Sequence, residues 1–236
     1  MLKKYLVLSL FLSLIWMSGT LVAQPAEQEL ILEQGVNGYE GTRDTSLFEE
    51  GDLSNGGGQH LFAGRTDQPN LRRALVAFDL SDIPAGSTIV AVQFQVTISK
   101  TQFQRRNSDM FVHRLTADWG EGEQDAAGEE GRGTEAAMDD ATWTSNFHQT
   151  STWENEGGDF VEAESGMART SGTGSTMTFE GDGMVADVQA WVDGEAENFG
   201  WIIVGEGQAR RFYSSESEDV EPGQKPRLVI RFVPPS

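Results

Sequence analysis

Arginines and tryptophans are the side chains of this chain whose types and placement could do chemistry, and that chemistry is recognition. A guanidinium fork meets a carboxylate bidentately, and an indole offers a broad apolar face to a flat partner such as a sugar ring. Between Arg65 and Arg114 the chain carries seven bases against four acids. Arg72, Arg105, Arg106 and Arg114 in that stretch are candidate contacts to an acidic ligand. Arg73 is embedded in a strand pattern and could instead pair with an acid such as Glu216. Trp119, Trp143 and Trp153 follow in a glycine-rich segment, where they would either stack on sugar or pin the segment to the body of the protein. Trp191 and Trp201 sit in apolar elements and read as core.

The other reactive types are thinner. Nucleophilic hydrolysis needs a nucleophile beside a histidine and an orienting acid, and His60, His113 and His148 lie in no such motif. Without cysteines or closely spaced histidines there is no zinc pattern. Glycoside hydrolysis needs two acids about 5–10 Å apart, yet fourteen acids against the single base Arg132 between Asp118 and Glu164 nominate no pair. Calcium suits these acids better, because it takes about 6–8 oxygen ligands on irregular backbone. Asp139 and Asp140, and Asp159 after Gly157-Gly158, are therefore candidate ligands of a structural calcium, although no EF-hand spacing is present.

These residues must be positioned by strands. Ala74, Val76, Phe78 and Leu80 alternate with Arg73, Leu75, Ala77 and Asp79, the period of a strand with one face on a core. Ile89 to Ile98 repeats the alternation beyond a polar connection ending in Pro84-Ala85-Gly86. Further strands are predicted at Glu29–Val36, Thr45–Phe48, His60–Gly64, Met110–Thr116, Ser175–Phe179, Phe199–Val204, Ala209–Ser214 and Leu228–Val233. Met184, Val185, Val188, Trp191 and Val192 have helical spacing, which suggests a short helix or a bent strand. Such a series of short strands predicts an all-β, two-sheet antiparallel β-sandwich. Between 118 and 174 periodicity vanishes, but the aromatics argue for a long acidic, Gly-rich loop excursion folded over the sandwich instead of a disordered linker.

Met1 to Ala23 has two lysines, an apolar run and a small-residue end, the pattern of a signal peptide. Its apolar run is shorter than the ~20 residues a bilayer span needs, so residues 24–236 are predicted to be one exported domain without membrane insertion. The absence of cysteine excludes a disulfide framework, and a net charge of −20 disfavours nucleic acid and anionic membranes.

The run from Arg73 to Leu80, followed by Ile83-Pro84-Ala85-Gly86-Ser87-Thr88-Ile89, resembles the core motif of the DNRLRE domain family. The likeness continues in order through Leu115 to Gly122, Asp140-Ala141-Thr142-Trp143, Trp153 and Gly157-Gly158-Asp159-Phe160. It closes with Val185 to Val192, Asn198-Phe199-Gly200-Trp201, Phe212 to Glu216 and Pro226-Arg227-Leu228. The resemblance implies a jelly-roll-like exported module of the kind often appended to polysaccharide-degrading enzymes. Relatives grouped as carbohydrate-binding module family 96 bind alginate. The leading expectation is thus a secreted or surface-held, non-catalytic module binding polysaccharide, in particular an acidic one. The alternatives are a structural or adhesive surface protein acting through protein contacts and, with less support, a polysaccharide hydrolase or lyase.

Overall fold

The computed structural model describes residues 25–101 and 106–236, so the signal-peptide reading and Arg105 lie outside the described residues. Its elements in chain order are β1 (Gln28–Glu33), β2 (Thr42–Phe48), β3 (Leu53–Ser54), β4 (His60–Arg65), β5 (Leu71–Phe78), β6 (Thr88–Lys100) and β7 (Asp109–Arg114). There follow β8 (Thr134–Glu135), β9 (Gly166–Arg169), β10 (Thr176–Phe179), α1 (Asp182–Val192), β11 (Trp201–Val204), β12 (Arg210–Tyr213) and β13 (Arg227–Val233). No helix among the described residues is long and apolar enough to cross a membrane.

The strand pairings are antiparallel and build two sheets. One runs β1-β13-β6-β10 and the other β2-β5-β11-β7-β9. β12 and β4 join them at one side, since β12 pairs with β6 and β4 pairs with β5. At the other side a bridge between Met167 and Glu180 brings β9 to the end of β10. The sheets therefore curl around a common core, an all-β sandwich closed towards a half-barrel.

That core holds the inward members of each alternating strand: Ala74, Val76 and Phe78 of β5, and Phe94, Val96 and Ile98 of β6. Phe94 stacks on Phe179 at 5.6 Å and on Trp201 at 6.1 Å between ring centroids. The ambiguous segment at 182–192 is a helix, because Met184, Val188 and Trp191 at one-turn spacing are all buried where α1 packs on β6 and β9, with Trp191 against Trp201 of β11. Asp187 on its flank accepts a 2.8 Å hydrogen bond from the Trp201 indole, which ties α1 to the second sheet.

The outer face of the second sheet is also buried. Leu47, Leu75, Ala77 and Ile202 point away from the main core and meet Leu115, Trp119, Ala141, Trp143 and Trp153 in a second apolar cluster. The segment expected to be an excursion thus forms a third layer. It is not wholly loop: Gly166–Arg169 within it is β9, a member of the second sheet, and Thr134–Glu135 pairs with β3. Gly200, before β11, has φ 78°, and a Cβ there would lie 2.2 Å from the Val76 carbonyl, so no other residue fits this approach to β5.

Candidate functional site

A groove opens where the β4–β5 hairpin faces the 127–133 turn of the third layer. It has two parts of about 310 and 690 Å³ that share Thr66, Asp67, Glu129 and Gly131. Arg72, Lys100, Arg132, Arg210 and Arg211 line it, and Glu50, Asp67, Glu129 and Glu130 stand among them. In a chain of net charge −20 this groove gathers cations from three elements and one turn.

The walls are held by a buried polar hub. Asn55 Nδ2 donates to the His60 carbonyl at 3.1 Å and to Glu130 Oε2 at 3.0 Å, and its Oδ1 accepts the Ala126 N–H at 2.9 Å. His60 Nδ1 meets Glu130 Oε1 at 2.9 Å, and its ring stacks on Tyr213. Burial would raise the Glu130 carboxyl, but the hydrogen bonds from His60 and Asn55 outweigh it and hold the group below its ordinary value. Asn55→Ala strips three hydrogen bonds from a buried site and should cost about 2–3 kcal/mol, read as a lower denaturant midpoint with an unchanged slope.

The sequence-nominated residues are placed differently from one another. Arg72 lines the groove but is 3% exposed. Its Nη1 and Nη2 donate to Glu50 at 2.5 and 2.7 Å, Nη2 also reaches the Gly131 carbonyl, and the guanidinium lies 4.8 Å from the Phe48 ring. It therefore braces the wall, its donors already spent. Arg106 is exposed near the groove, its carbonyl accepting from Arg210 Nη2 at 3.0 Å. Arg114 belongs elsewhere, paired with Asp187 at 3.3 Å beside α1.

Trp119, Trp143 and Trp153 are 0%, 7% and 5% exposed, so none presents a ring to a sugar. Apolar burial against the second sheet outweighs any role in stacking. Trp119 Nε1 donates to the Phe199 carbonyl and Trp153 Nε1 to the Thr142 carbonyl. Arg73 pairs with no acid at Glu216. Its guanidinium lies over Trp143 at 4.9 Å and Phe160 at 5.4 Å and donates to the Gly157 carbonyl at 2.6 Å. His113 is likewise structural, its Nδ1 bonded to the Val161 carbonyl at 3.0 Å.

The nominated calcium ligands do not converge. Asp159 caps its own turn by accepting from the Glu154 and Asn155 N–H groups, both at 2.8 Å. Asp140 Oδ2 accepts the Ala137 N–H at 2.9 Å, and Asp139 Oδ1 accepts from the Thr150 hydroxyl at 2.5 Å. Among the described residues no group of three or more His, Asp or Glu side chains is arranged to hold a metal ion.

Other acids do come together. The Asp44 N–H donates to Glu121 Oε1 at 2.6 Å, and Asp44 Oδ2 accepts the Ser215 N–H at 2.8 Å. Ser215 Oγ donates to Glu216 Oε1 at 2.8 Å. Asp44 Oδ1 and Glu216 Oε2 are buried without a hydrogen-bond partner. Burial, with Glu216 and Glu121 close by, pushes Asp44 well above the usual carboxylate range. Burial pushes Glu121 up to about 7 and also raises Glu216. Neither part of the groove is lined by these acids.

Sequence reasoning missed Lys100, Arg132, Arg210 and Arg211. The adjacent pair Arg210-Arg211 inside a short predicted strand was the available signal, because two arginines in succession put one on each face. Fold and groove together define the class: an all-β antiparallel sandwich with a third layer and a charged groove along its joining strands. No protein-family model matches the chain, and neither does any curated protein.

Proposed function

We propose that this chain is an exported, non-catalytic module that binds an acidic, uronate-type polysaccharide in the groove. One observation carries the reading: five cations of a strongly acidic chain, Arg72, Lys100, Arg132, Arg210 and Arg211, line one surface groove. Arg132 there is exposed and makes no ion pair among the described residues, so its fork is free to meet a carboxylate. The ordered likeness to the DNRLRE motif supports the same class of ligand by fold analogy alone.

Retention in an alginate or polygalacturonate affinity gel tests it. Arg132→Ala should weaken binding about tenfold, the value of a charge-assisted hydrogen bond, with an unchanged melting temperature. Added salt should weaken the wild type, because exposed charges are screened. Unretarded wild-type protein at low salt removes the reading, and self-association in its place would favour a structural or adhesive surface protein.

A further inference from the structure

Lys100 ends β6 and Arg211 lies on β12, and the two are direct partners in the strand register. Like charges facing each other across paired strands repel, so this position requires an anion. Glu129 supplies it from the third layer. One oxygen, Oε2, accepts from Lys100 Nζ at 2.8 Å and from Arg211 Nη1 at 2.7 Å. Arg211 is preset for the task, since its Nε donates to Ser99 Oγ at 3.0 Å and its side chain is 18% exposed.

Glu129 is held much less firmly. Its side chain is 70% exposed, and exposed ion pairs contribute little net stability because solvent competes for both partners. It stands among the residues shared by both parts of the groove, so an entering ligand passes it. The hydrogen bond and charge of Lys100, joined by Arg211, hold its carboxyl below the ordinary value and keep it ionised.

We propose that Lys100 and Arg211 form a subsite that reads a carboxylate, and that Glu129 is its built-in occupant, displaced when a uronate carboxylate of the bound polysaccharide enters. The inference rests on the groove reading above and adds the subsite that meets the carboxylate and the residue that competes for it. It also supplies selectivity. A neutral sugar hydroxyl cannot replace a carboxylate between two cations, so Glu129 rejects neutral glycans while a uronate exchanges with it. Discrimination by an element that works against the wrong partner is a general device.

The test is titration calorimetry of the full chain with oligogalacturonate and oligomannuronate at fixed ionic strength. Glu129→Gln, which removes the competing charge and keeps the side chain's shape, should tighten binding about fivefold to tenfold, the strength of a displaced charge-assisted contact. Glu129→Ala should act in the same direction. Lys100→Ala and Arg211→Ala should each weaken binding about tenfold by the same reasoning. Unchanged or weaker binding by both Glu129 variants, with Arg132→Ala still weakening it, overturns the role of Glu129 and leaves the groove reading standing. No heat from the wild type or any Glu129 variant overturns both. Tighter binding of a sulfated glycan than of either uronate oligomer by Glu129→Gln overturns the assignment to carboxylates.

Discussion

Trp119→Ala is expected to destabilise the protein by about 3–5 kcal/mol, the usual cost of emptying a buried tryptophan site. Trp119 is fully buried between the second sheet and the third layer. Its indole N–H donates to the Phe199 carbonyl at 2.9 Å, and the Arg43 guanidinium covers its ring at 4.7 Å. Removing the ring leaves a cavity, an unpaired carbonyl and a cation without its platform. For a chain of this size each kcal/mol moves the midpoint by roughly 2–4 °C, so the melting temperature should fall by about 10 °C. Trp119→Phe restores most of the apolar area but not the donor and should lose about 1–3 kcal/mol. Because the ring faces inward, the glycan binding we propose should be the same in the folded fraction of either variant as in the wild type. A wild-type melting temperature for Trp119→Ala, or a selective loss of glycan binding, would return Trp119 to the list of ligand contacts.

Stability should be greatest in mildly acidic solution and fall as the pH rises from about 5 to 8.5. Asp44, Glu121 and Glu216 all have carboxyls raised in the folded state, first by burial. A raised acid binds its proton more tightly in the folded chain than in the unfolded one. Its contribution is complete below the unfolded value and is lost as the pH climbs through the folded one, which for Glu121 is about 7. One pKa unit corresponds to about 1.4 kcal/mol, so Glu121 alone accounts for a loss on the order of 3 kcal/mol. The charged groups facing the cluster are Arg43, which lowers Glu121, and Lys225, which lowers Glu216; neither reverses the shift.

On the acid side the sign is opposite. The Glu50 carboxyl, raised by burial but lowered further by the hydrogen bonds of Arg72 and Asn70, lies below its ordinary value. Glu130 behaves alike through His60 and Asn55. Their stabilisation is present above the unfolded carboxylate value and is lost as the pH falls through the folded one. Melting curves from pH 3 to pH 9 should therefore describe a dome. Asp44→Asn, an isostere of the protonated acid that can still accept from Ser215, should flatten the alkaline limb and melt above the wild type at pH 8.5. Glu121→Gln should flatten it as well. A wild-type profile level between pH 5 and pH 8.5 would show that the cluster titrates as ordinary surface carboxylates.

Much of the fold was legible in the chain because alternation is a local signal. Residues Arg72 to Ile98 announce β5 and β6 through the spacing of Ala74, Val76, Phe78 and Ile89 onward, and the structure places both strands there. The same alternation misleads about the other face. Leu75 and Ala77 share their side of β5 with Arg73, which suggests a solvated surface; the third layer buries them instead. No pattern within β5 encodes that cover, because it is supplied by Trp119, Trp143 and Trp153 far along the chain. Their types argue for an ordered segment. Their burial, and not their exposure, required the sheet to be in place.

The candidate site divides in the same way. The sequence by itself determined the helical spacing at Met184, Val188 and Trp191, the excess of acid, the concentration of bases between Arg65 and Arg114, and most of the strands, though not β3, β8 and β9. It did so because periodicity and composition are properties of neighbours along the chain. Only the tertiary structure decided which charges are free and which are spent. It closed Arg72 onto Glu50, gave Arg114 to Asp187, and brought Lys100 opposite Arg211 with Glu129 between them. It also gathered Asp44, Glu121 and Glu216 around Ser215 into one buried acidic cluster. The physical reason is the short reach of hydrogen bonds and the cost of burying an unpaired charge. Both depend on distances across paired strands and packed layers, which spacing along the chain does not contain.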